Sequence, residues 1–138
     1  EKLEERTKWE EQFRSYLKSL RENDKIVIVC GTLNVAYQDV DVHNPRKNLN
    51  CGGFLYEEKK CFEKLLFDFV DCFRYKNPYE KKFTYFPANE KFAKVYHQGE
   101  RLDYFLVDDR SKVNIITSEI LNQFNGSDHV PIKLIYRT

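Results

Sequence analysis

The chain has 138 residues, of which 41% are hydrophobic and 15% aromatic, so it can bury a core as one domain or as part of a larger one. Its net charge of +1 argues against a protein that is held to nucleic acid by bulk charge alone. No apolar run approaches the length of a membrane-spanning helix, and the first residues show no signal-peptide pattern. Because the chain begins at Glu1 and contains no methionine, we expect it to be a piece of a longer product.

The cysteines and histidines argue against a structural zinc site. None of the four cysteines stands in a C-x-x-C spacing, and the three histidines are scattered along the chain. Cys30 follows an apolar run and Cys61 lies in a helical pattern, so we expect both to be reduced, buried thiols. This use of cysteine predicts a reducing, intracellular compartment. The residues concerned are Cys30, Cys51, Cys61, Cys72, His43, His97 and His129.

The first part of the chain predicts a helix, a strand, a loop and a second helix. Residues 1–22 carry large apolar side chains at steps of three and four, which is typical of an amphipathic helix lying on a core. Residues 26–30 are continuously apolar and β-branched up to the cysteine, so we expect a strand that is covered on both faces. Residues 38–53 show no period and predict a long loop, and helical spacing returns over residues 54–67. The apolar stripe of the first helix consists of Trp9, Phe13, Leu17 and Leu20.

The second part of the chain predicts mainly strands. A short apolar stretch over residues 70–75 ends where Asn77-Pro78 breaks it. Runs that predict strands follow at residues 83–86, 102–107, 113–120 and 130–136. The last run has a proline near its start, which suits a strand close to a sheet edge. The whole pattern predicts an α/β fold in which helices pack on a sheet.

Residues 74–101 combine positive charge with aromatic side chains. They contain seven Lys or Arg residues against three Glu, and tyrosines and phenylalanines are interleaved among them. Such a mixture can follow a phosphate backbone and stack on bases. The alternative is a solvated loop whose rings are half-buried, and the segment alone favours that simpler interpretation.

Three short polar stretches stand at predicted strand ends: Gly31-Thr32-Leu33-Asn34, Arg101-Leu102-Asp103-Tyr104 and Gly126-Ser127-Asp128-His129. If these ends meet at one edge, the side chains of Asn34, Asp103, Asp128 and His129 converge. A histidine oriented by an aspartate is a recurrent catalytic pair, because the carboxylate fixes the tautomer and stabilises the imidazolium. The alternatives are that Asp128 caps a turn and that Asp103 is a surface ion-pair partner of Arg101.

Five segments of the chain resemble the exonuclease III type of apurinic/apyrimidinic (AP) endonucleases, within the endonuclease/exonuclease/phosphatase superfamily. They read IVIVCGTLNVAYQDVDVHNP, GGFLYEEKKCFEKLL, FVDCFRYKNP, ERLDYFLVD and GSDHVPIKL. The resemblance implies an α/β fold in which residues 1–138 form the C-terminal half of a four-layer α/β sandwich. It implies a mixed or antiparallel sheet with helices packed on its outer face, and an N-terminal half that is absent from this chain.

The resemblance also implies a chemistry: Mg²⁺-dependent hydrolysis, with Mn²⁺ as a substitute, of the phosphodiester on the 5′ side of an abasic site in double-stranded DNA. In that scheme His129 contacts the scissile phosphate, Asp103 orients His129, and Asn34 positions the attacking water. Asp128 lies beside the metal as its ligand. The DNA backbone is contacted from the loop by Arg46, Lys47, Asn48 and Asn50. The implied location is the nucleus, with the mitochondrion as the alternative.

The chain departs from the family pattern at three points. Thr32 stands where the family has the aspartate that activates the attacking water, and a hydroxyl cannot accept that proton at neutral pH. Glu100 stands where the family usually has a tryptophan, and it brings negative charge to a surface expected to meet phosphates. The third departure is length, because the implied first half would supply an Asn and a Glu near the metal and a Tyr on the phosphate.

Three hypotheses remain at this point. The chain is part of an AP endonuclease whose other half was removed, is disordered or sits on a separate chain, or it is a catalytically degenerate relative that serves as a DNA-binding or scaffold module. A phosphatase of the same superfamily is the third, and the repair-type loop from Gln38 to Phe54 argues against it. We expect this chain alone to have no appreciable nuclease activity. We also expect an uncovered apolar sheet face, to be covered by the missing half or by a self-associating partner.

Overall fold

The computed structural model describes residues 2–138, and within them it contains four α-helices and five β-strands. In chain order these are α1 (Lys2–Glu22), β1 (Ile28–Thr32), α2 (Pro45–Asn48), α3 (Tyr56–Leu65), β2 (Phe69–Asp71), α4 (Cys72–Lys76), β3 (Asp103–Asp108), β4 (Ile115–Ile120) and β5 (Ile132–Tyr136). No helix in this part of the chain has both the length and the apolar character needed to cross a bilayer.

The strands form two antiparallel sheets. In the first sheet β3 lies between β1 and β2, and in the second β4 pairs with β5. The ladder between β1 and β3 places Thr32 opposite Asp103. Residues that are directly opposite in a ladder project from the same face, so these two side chains are neighbours. The predicted α/β class, with an antiparallel sheet and helices packed on it, is confirmed.

The two long helices cover one face of the three-stranded sheet. Leu17 of α1 and Phe62 of α3 pack in one cluster with Tyr104 and Leu106 of β3. Burying side chains of this size stabilises a fold by about 1.5–3 kcal/mol each. The predicted stripe of α1 therefore holds from Phe13 onward, with Leu17 buried and Phe13 and Leu20 packed against the same cluster.

The N-terminal end of the α1 stripe differs from the prediction. Trp9 is 50% exposed and stacks on Phe13 at 5.0 Å instead of entering the core. Its neighbour Glu10 is buried in its place, where it pairs with Arg6 at 3.1 Å. The apolar stripe ends before Glu10 because this part of α1 faces the charged side chain of Glu58 on α3 instead of an apolar surface.

The prediction that the first strand is covered on both faces is wrong. Helices pack on one side only, so Val29 faces the core while Ile28 is 43% exposed and Cys30 is also exposed. The expectation of a buried thiol therefore fails at Cys30, and Cys61 is only half-buried. Cys72 is the buried cysteine of the four, and burial together with Asp71 raises the pKa of its thiol to about 12.

Several predicted elements have different boundaries or a different character. Residues 83–86 do not form a ladder strand; Tyr85 alone makes bridges, to Glu100 and to His129. The stretch at 70–75 divides into the end of β2 and most of α4. The strand predicted over 113–120 is β4, and its first residues belong to a 3₁₀ turn, Asp109–Asn114. The long loop at 38–53 contains α2 and a 3₁₀ turn at Asp39–Asp41.

A buried ion network fixes the segment that leads into β3. Arg101 is 1% exposed and donates to both carboxylate oxygens of Asp71, at 2.9 and 2.6 Å, and to Asp41 at 2.7 Å. Arg74 adds a second guanidinium on Asp41 at 2.6 Å. Burial alone would favour the neutral carboxyl of Asp41, but the two guanidinium groups outweigh it and hold its pKa below the usual value. The two arginines and two aspartates balance in charge, which is the condition for burying them.

Candidate active site

The turn that follows β1 carries Asn34 into a cleft. Leu33 continues the ladder by donating its N–H to Leu102 at 2.9 Å, and Asn34 then adopts a left-handed backbone with φ of 54°. Asparagine tolerates this region better than most residues, so the turn is compatible with its sequence. The side chain of Asn34 is exposed and lines a cleft that also contains His129.

A glycine allows the long loop to pack against this turn. Gly53 has φ of 87°, its carbonyl accepts from Ala36 at 2.6 Å, and a side chain at this position would approach the carbonyl of Asn34 within 3.4 Å. The buried carboxylate of Glu58 accepts the Gly53 N–H at 2.7 Å. The loop and the turn are therefore held together at the edge of the cleft.

His129 and Asp103 form a hydrogen-bonded pair at the same edge. The Nδ1 atom of His129 lies 2.8 Å from Oδ2 of Asp103. Asp103 begins β3, and His129 precedes β5 and is held by its bridge to Tyr85, whose ring centroid lies 5.0 Å away. Because Asp103 engages Nδ1, Nε2 is the ring nitrogen that can meet a substrate in the cleft.

Thr32 completes this arrangement from the opposite strand. Its hydroxyl donates to Oδ1 of Asp103, so the carboxylate has one partner on each oxygen. The alternative role of Asp103, as a surface partner of Arg101, does not apply, because Arg101 pairs with Asp41 and Asp71 instead. The arrangement can orient an imidazole, but it offers no general base at Thr32.

Asp128 lies next to this pair in sequence, and its carboxylate takes part in the turn before β5. Its side chain is exposed, Oδ1 accepts from the Ser127 hydroxyl at 3.3 Å, and its carbonyl accepts from Phe86 at 2.8 Å. The Ser127 hydroxyl also accepts the N–H of His129 at 3.1 Å, which shapes the turn. Asn34 and His129 therefore line the cleft and Asp103 holds His129 from behind it, whereas Asp128 is not among the residues that line the cleft.

Asp128 is the residue to which the family resemblance assigns a metal ion. Between residues 2 and 138, no group of three or more His, Cys, Asp or Glu side chains is placed to hold a metal ion. Mg²⁺ is commonly bound through one or two carboxylates plus water and phosphate oxygens. Asp128 fits as one such ligand, since it is exposed and its carboxylate has a single weak partner.

The predicted DNA-contacting residues lie on and after α2. Asn44 caps this short helix by accepting the Lys47 N–H at 3.2 Å. Arg46, Lys47 and Asn50 are exposed, as a backbone-contacting loop requires, whereas Asn48 is half-buried and donates to Glu100 at 3.4 Å.

Glu100 lies between the loop and the cleft and lines the depression on either side of it. Burial raises the pKa of its carboxyl, and the nearby charge of Glu58 raises it further.

The sequence did not indicate two side chains that support the site, Arg6 and Glu58. Arg6 lies within 3.6 Å of Glu58 and donates to the carbonyl of Leu33, so it connects α1 and α3 to the turn that bears Asn34. The spacing of Arg6 and Glu10 on one helix face was a visible signal for an ion pair, but nothing local indicated that it reaches the site.

Comparisons with known proteins identify relatives over the whole chain, although no protein-family model matches it. The Recombination repair protein 1 of Drosophila melanogaster is 38% identical over 135 residues, which are 97% of this chain and 20% of that protein. An exodeoxyribonuclease of Bacillus subtilis is 38% identical over 137 residues, which are 98% of this chain and 54% of that protein. A solved AP endonuclease from Archaeoglobus fulgidus matches with a TM-score of 0.92 and 26% identity, over 100% of this chain and 56% of that one.

The fold defines the class of protein: an α/β domain of the endonuclease/exonuclease/phosphatase type, as in the solved AP endonuclease. Within that class, the chain is homologous to the C-terminal part of the exonuclease III-type AP endonucleases. It spans about half or less of the length of the relatives it matches.

Proposed function

We propose that this chain is the C-terminal part of a DNA-repair nuclease that hydrolyses the phosphodiester 5′ to an abasic site in double-stranded DNA. The observation that carries the proposal is the hydrogen-bonded pair of His129 and Asp103 at a cleft that Asn34 also lines. These are three of the residues that the family resemblance assigns to the reaction. The relatives named as an exodeoxyribonuclease and an AP endonuclease support the same chemistry.

In the proposed reaction, His129 acts on the scissile phosphate through Nε2. Asp103 holds the ring by Nδ1, so Nε2 faces the cleft and, when it carries a proton, can donate to a phosphoryl oxygen as negative charge builds there. Asn34 has both a donor and an acceptor on its amide, and from the turn after β1 it can orient the attacking water against the phosphate.

A divalent cation belongs to this proposal, with Mg²⁺ first and Mn²⁺ as a substitute. When bound, the cation offsets negative charge on the phosphoryl oxygens and the leaving group. Asp128 is the residue of this chain that we assign as its ligand. We propose that the preceding half of the domain supplies further ligands, since no group of three or more His, Cys, Asp or Glu side chains in residues 2–138 is placed to hold a metal ion.

The DNA-binding surface in this proposal runs from α2 to the basic and aromatic segment. Arg46 and Lys47 lie exposed on α2, and we assign them with Asn48 and Asn50 to the DNA backbone. Tyr79, Phe92 and Tyr96 are largely exposed, so the segment at 74–101 presents rings as well as charges to solvent. These three exposed rings support base stacking at their own positions, whereas Phe83 and Phe86 of the same segment are buried in the core.

The proposal also accounts for the exposed side of β1. Ile28 and Cys30 project from the side of β1 that the helices leave open. We propose that the N-terminal half of the domain covers this face and brings the missing metal ligands to the cleft. A second copy of the chain is the alternative occupant.

A second candidate function is a DNA-binding or scaffold module without catalysis. It is favoured by Thr32, whose hydroxyl donates to Asp103 and cannot serve as a base. The two candidates agree on DNA binding and differ on turnover.

The test joins this chain to the part of the Bacillus subtilis relative that precedes the matched segment, giving a fusion of full domain length. With Mg²⁺ and an end-labelled duplex bearing one abasic site, we expect incision on the 5′ side of the lesion, and we expect His129→Gln to abolish it. A folded fusion that binds the duplex without cutting it would favour the binding module. A fusion that neither binds nor cuts would contradict both candidates.

A further inference from the structure

The cross-strand pair of Thr32 and Asp103 has a fixed geometry. The two residues are directly opposite in the ladder between β1 and β3, so their β-carbons lie about 5 Å apart on one face of the sheet. The side chain of threonine is branched at its β-carbon and keeps few rotamers in a strand. Its hydroxyl therefore stays beside Asp103 and donates to Oδ1.

Asp103 is held at three points. Thr32 donates to Oδ1, His129 meets Oδ2 at 2.8 Å, and the Asp103 N–H donates to the buried hydroxyl of Thr84 at 3.1 Å. The final torsion of an aspartate is broad, and the carboxylate can turn about it unless both oxygens are engaged. One partner on each oxygen defines the plane of the carboxylate, and with it the direction from which it holds the imidazole.

From this geometry we infer that Thr32 is a positioning residue for His129. Its hydroxyl locks the Asp103 carboxylate in the orientation that keeps the His129 proton on Nδ1 and leaves Nε2 free toward the cleft. Thr32 cannot act as a general base. Instead it positions His129 through Asp103, without touching the substrate.

An aspartate at position 32 could not perform this task in the same way. Two carboxylates directly opposite each other in a ladder repel, and one of them tends to take up a proton. The protonated member of such a pair can donate to the other, but it gives up that proton as the pH rises. The hydroxyl supplies a donor without adding charge, and the carboxylate of Asp103 remains available to the imidazole.

The inference rests on the Asp–His pair of the proposed nuclease site, but its test uses no DNA and no metal. The probe is the chain itself, labelled with ¹⁵N in its histidine rings and studied by NMR at about pH 8, where an ordinary imidazole is neutral. His129→Gln assigns the His129 signals against those of His43 and His97. The readouts are the fraction of the tautomer with the proton on Nδ1 and the rate at which that proton exchanges with water.

We expect Thr32→Val, which keeps the shape and removes the donor, to speed exchange of the Nδ1 proton about fivefold, as the loss of one side-chain hydrogen bond would. The other tautomer should become visible. Thr32→Ser should restore most of the wild-type behaviour. Thr7→Val, on α1, is the matched control and should change nothing, since the Thr7 hydroxyl bonds to Leu3 within its own helix.

An unchanged tautomer and exchange rate in folded Thr32→Val would overturn the inference, as would failure of Thr32→Ser to differ from it. Thr32 is exposed at the end of β1, so we expect the variant to fold. If circular dichroism shows otherwise, Thr32→Ala is measured under the same criteria. The result is independent of cleavage: an inactive nuclease leaves it standing, and its failure leaves the proposed nuclease role untouched.

Discussion

At the scale of single residues, position 32 affects how fast the site can activate water, because a threonine hydroxyl cannot act as a general base. Thr32 lies within hydrogen-bond reach of Asp103, so an aspartate there would face a second carboxylate across the ladder. Facing carboxylates share a proton, and the pKa of one of them rises. A carboxylate whose pKa is raised toward the working pH is a better general base than an ordinary one, because it accepts a proton more readily.

We therefore expect Thr32→Asp, made in the full-length fusion described above, to raise the rate of abasic-site incision at least about tenfold. The measurement is single-turnover cleavage of the labelled duplex with Mg²⁺. Thr32→Asn, which has nearly the same size but no basic oxygen, is the matched control and should give no gain. An equal rate in both variants would mean that another residue already serves as the base, or that the site is broken elsewhere.

Glu100 stands where the family resemblance implies a tryptophan, and we expect its negative charge to weaken DNA binding. Its carboxyl lies between the α2 loop and the cleft. We expect Glu100→Gln to tighten binding of an abasic duplex about two- to fivefold, because removing one partly screened charge is worth up to about 1 kcal/mol. Fluorescence anisotropy with the isolated chain measures this directly.

The effect of Glu100 should depend on pH in a definite direction. Burial and the charge of Glu58 raise its pKa above 4.5, so as the pH falls Glu100 is neutralised earlier than an ordinary glutamate. The advantage of Glu100→Gln should therefore be full at pH 7 and shrink as the pH falls toward that raised value. Comparing the two proteins at each pH cancels the contribution of other titrating groups. Glu11→Gln, on the exposed face of α1, is the control and should leave the affinity unchanged.

At the scale of elements, one arginine ties both long helices to the turn that bears Asn34. Arg6 pairs with Glu10 at 3.1 Å, lies 3.6 Å from Glu58 and donates to the carbonyl of Leu33. Both glutamates are buried, so the guanidinium offsets two charges that have little access to water. Removing one member of a buried ion pair lowers the stability of the fold by more than the pair adds to it, because the remaining charges are left uncompensated.

We expect Arg6→Met to lower the free energy of unfolding by about 3 kcal/mol at pH 7. Burial raises the pKa of Glu10 while Arg6 lowers it, so the variant should raise that pKa further. A group with a raised pKa in the folded state stabilises the fold below its unfolded pKa, and this contribution is lost as the pH rises. The drop in the free energy of unfolding caused by Arg6→Met should therefore be smaller at pH 4 than at pH 7.

Urea unfolding at both values of pH measures this difference. Arg14→Met, also on α1, is the matched control, since none of the ion pairs found in residues 2–138 includes Arg14. An equal loss of stability at pH 4 and pH 7 would contradict the account of Glu10.

The elements differ in how far the sequence could predict them. The helices at the start and at 54–67, and the strand near 102–107, follow from local periodicity and are present as α1, α3 and β3. Coverage of the first strand could not be predicted, because an apolar run says nothing of which partner lies on each face. Tyr85 was assigned to a strand for its β propensity, yet it bonds only at single bridges, which depend on residues distant in sequence.

The site was predictable to a similar extent. The Asp-His dipeptide and the Arg-Leu-Asp stretch indicated a pair, and Asp103 and His129 do meet. The contact between Arg6 and Leu33 spans 27 positions and the one between Thr32 and Asp103 spans 71, so no local pattern records them. Such contacts follow only from the register of the sheet and the packing of the helices.

At the scale of the whole molecule, the exposed side of β1 and the absence of a metal-holding group in residues 2–138 both favour a second half of the domain. The chain matches its relatives from end to end but spans about half or less of their length. One side of β1 is exposed, and the carboxylate ligands found in residues 2–138 do not add up to a metal site. A second half of the domain, packed on that side of β1, would cover the exposed residues and could supply metal ligands.

The most direct test of this account is to incubate the isolated chain with a duplex that bears one abasic site and with Mg²⁺, beside the Bacillus subtilis relative as a positive control. We predict no multiple-turnover incision by the chain, because it lacks a base at Thr32 and a complete metal site. Multiple-turnover incision 5′ to the lesion that His129→Gln abolishes would contradict the account.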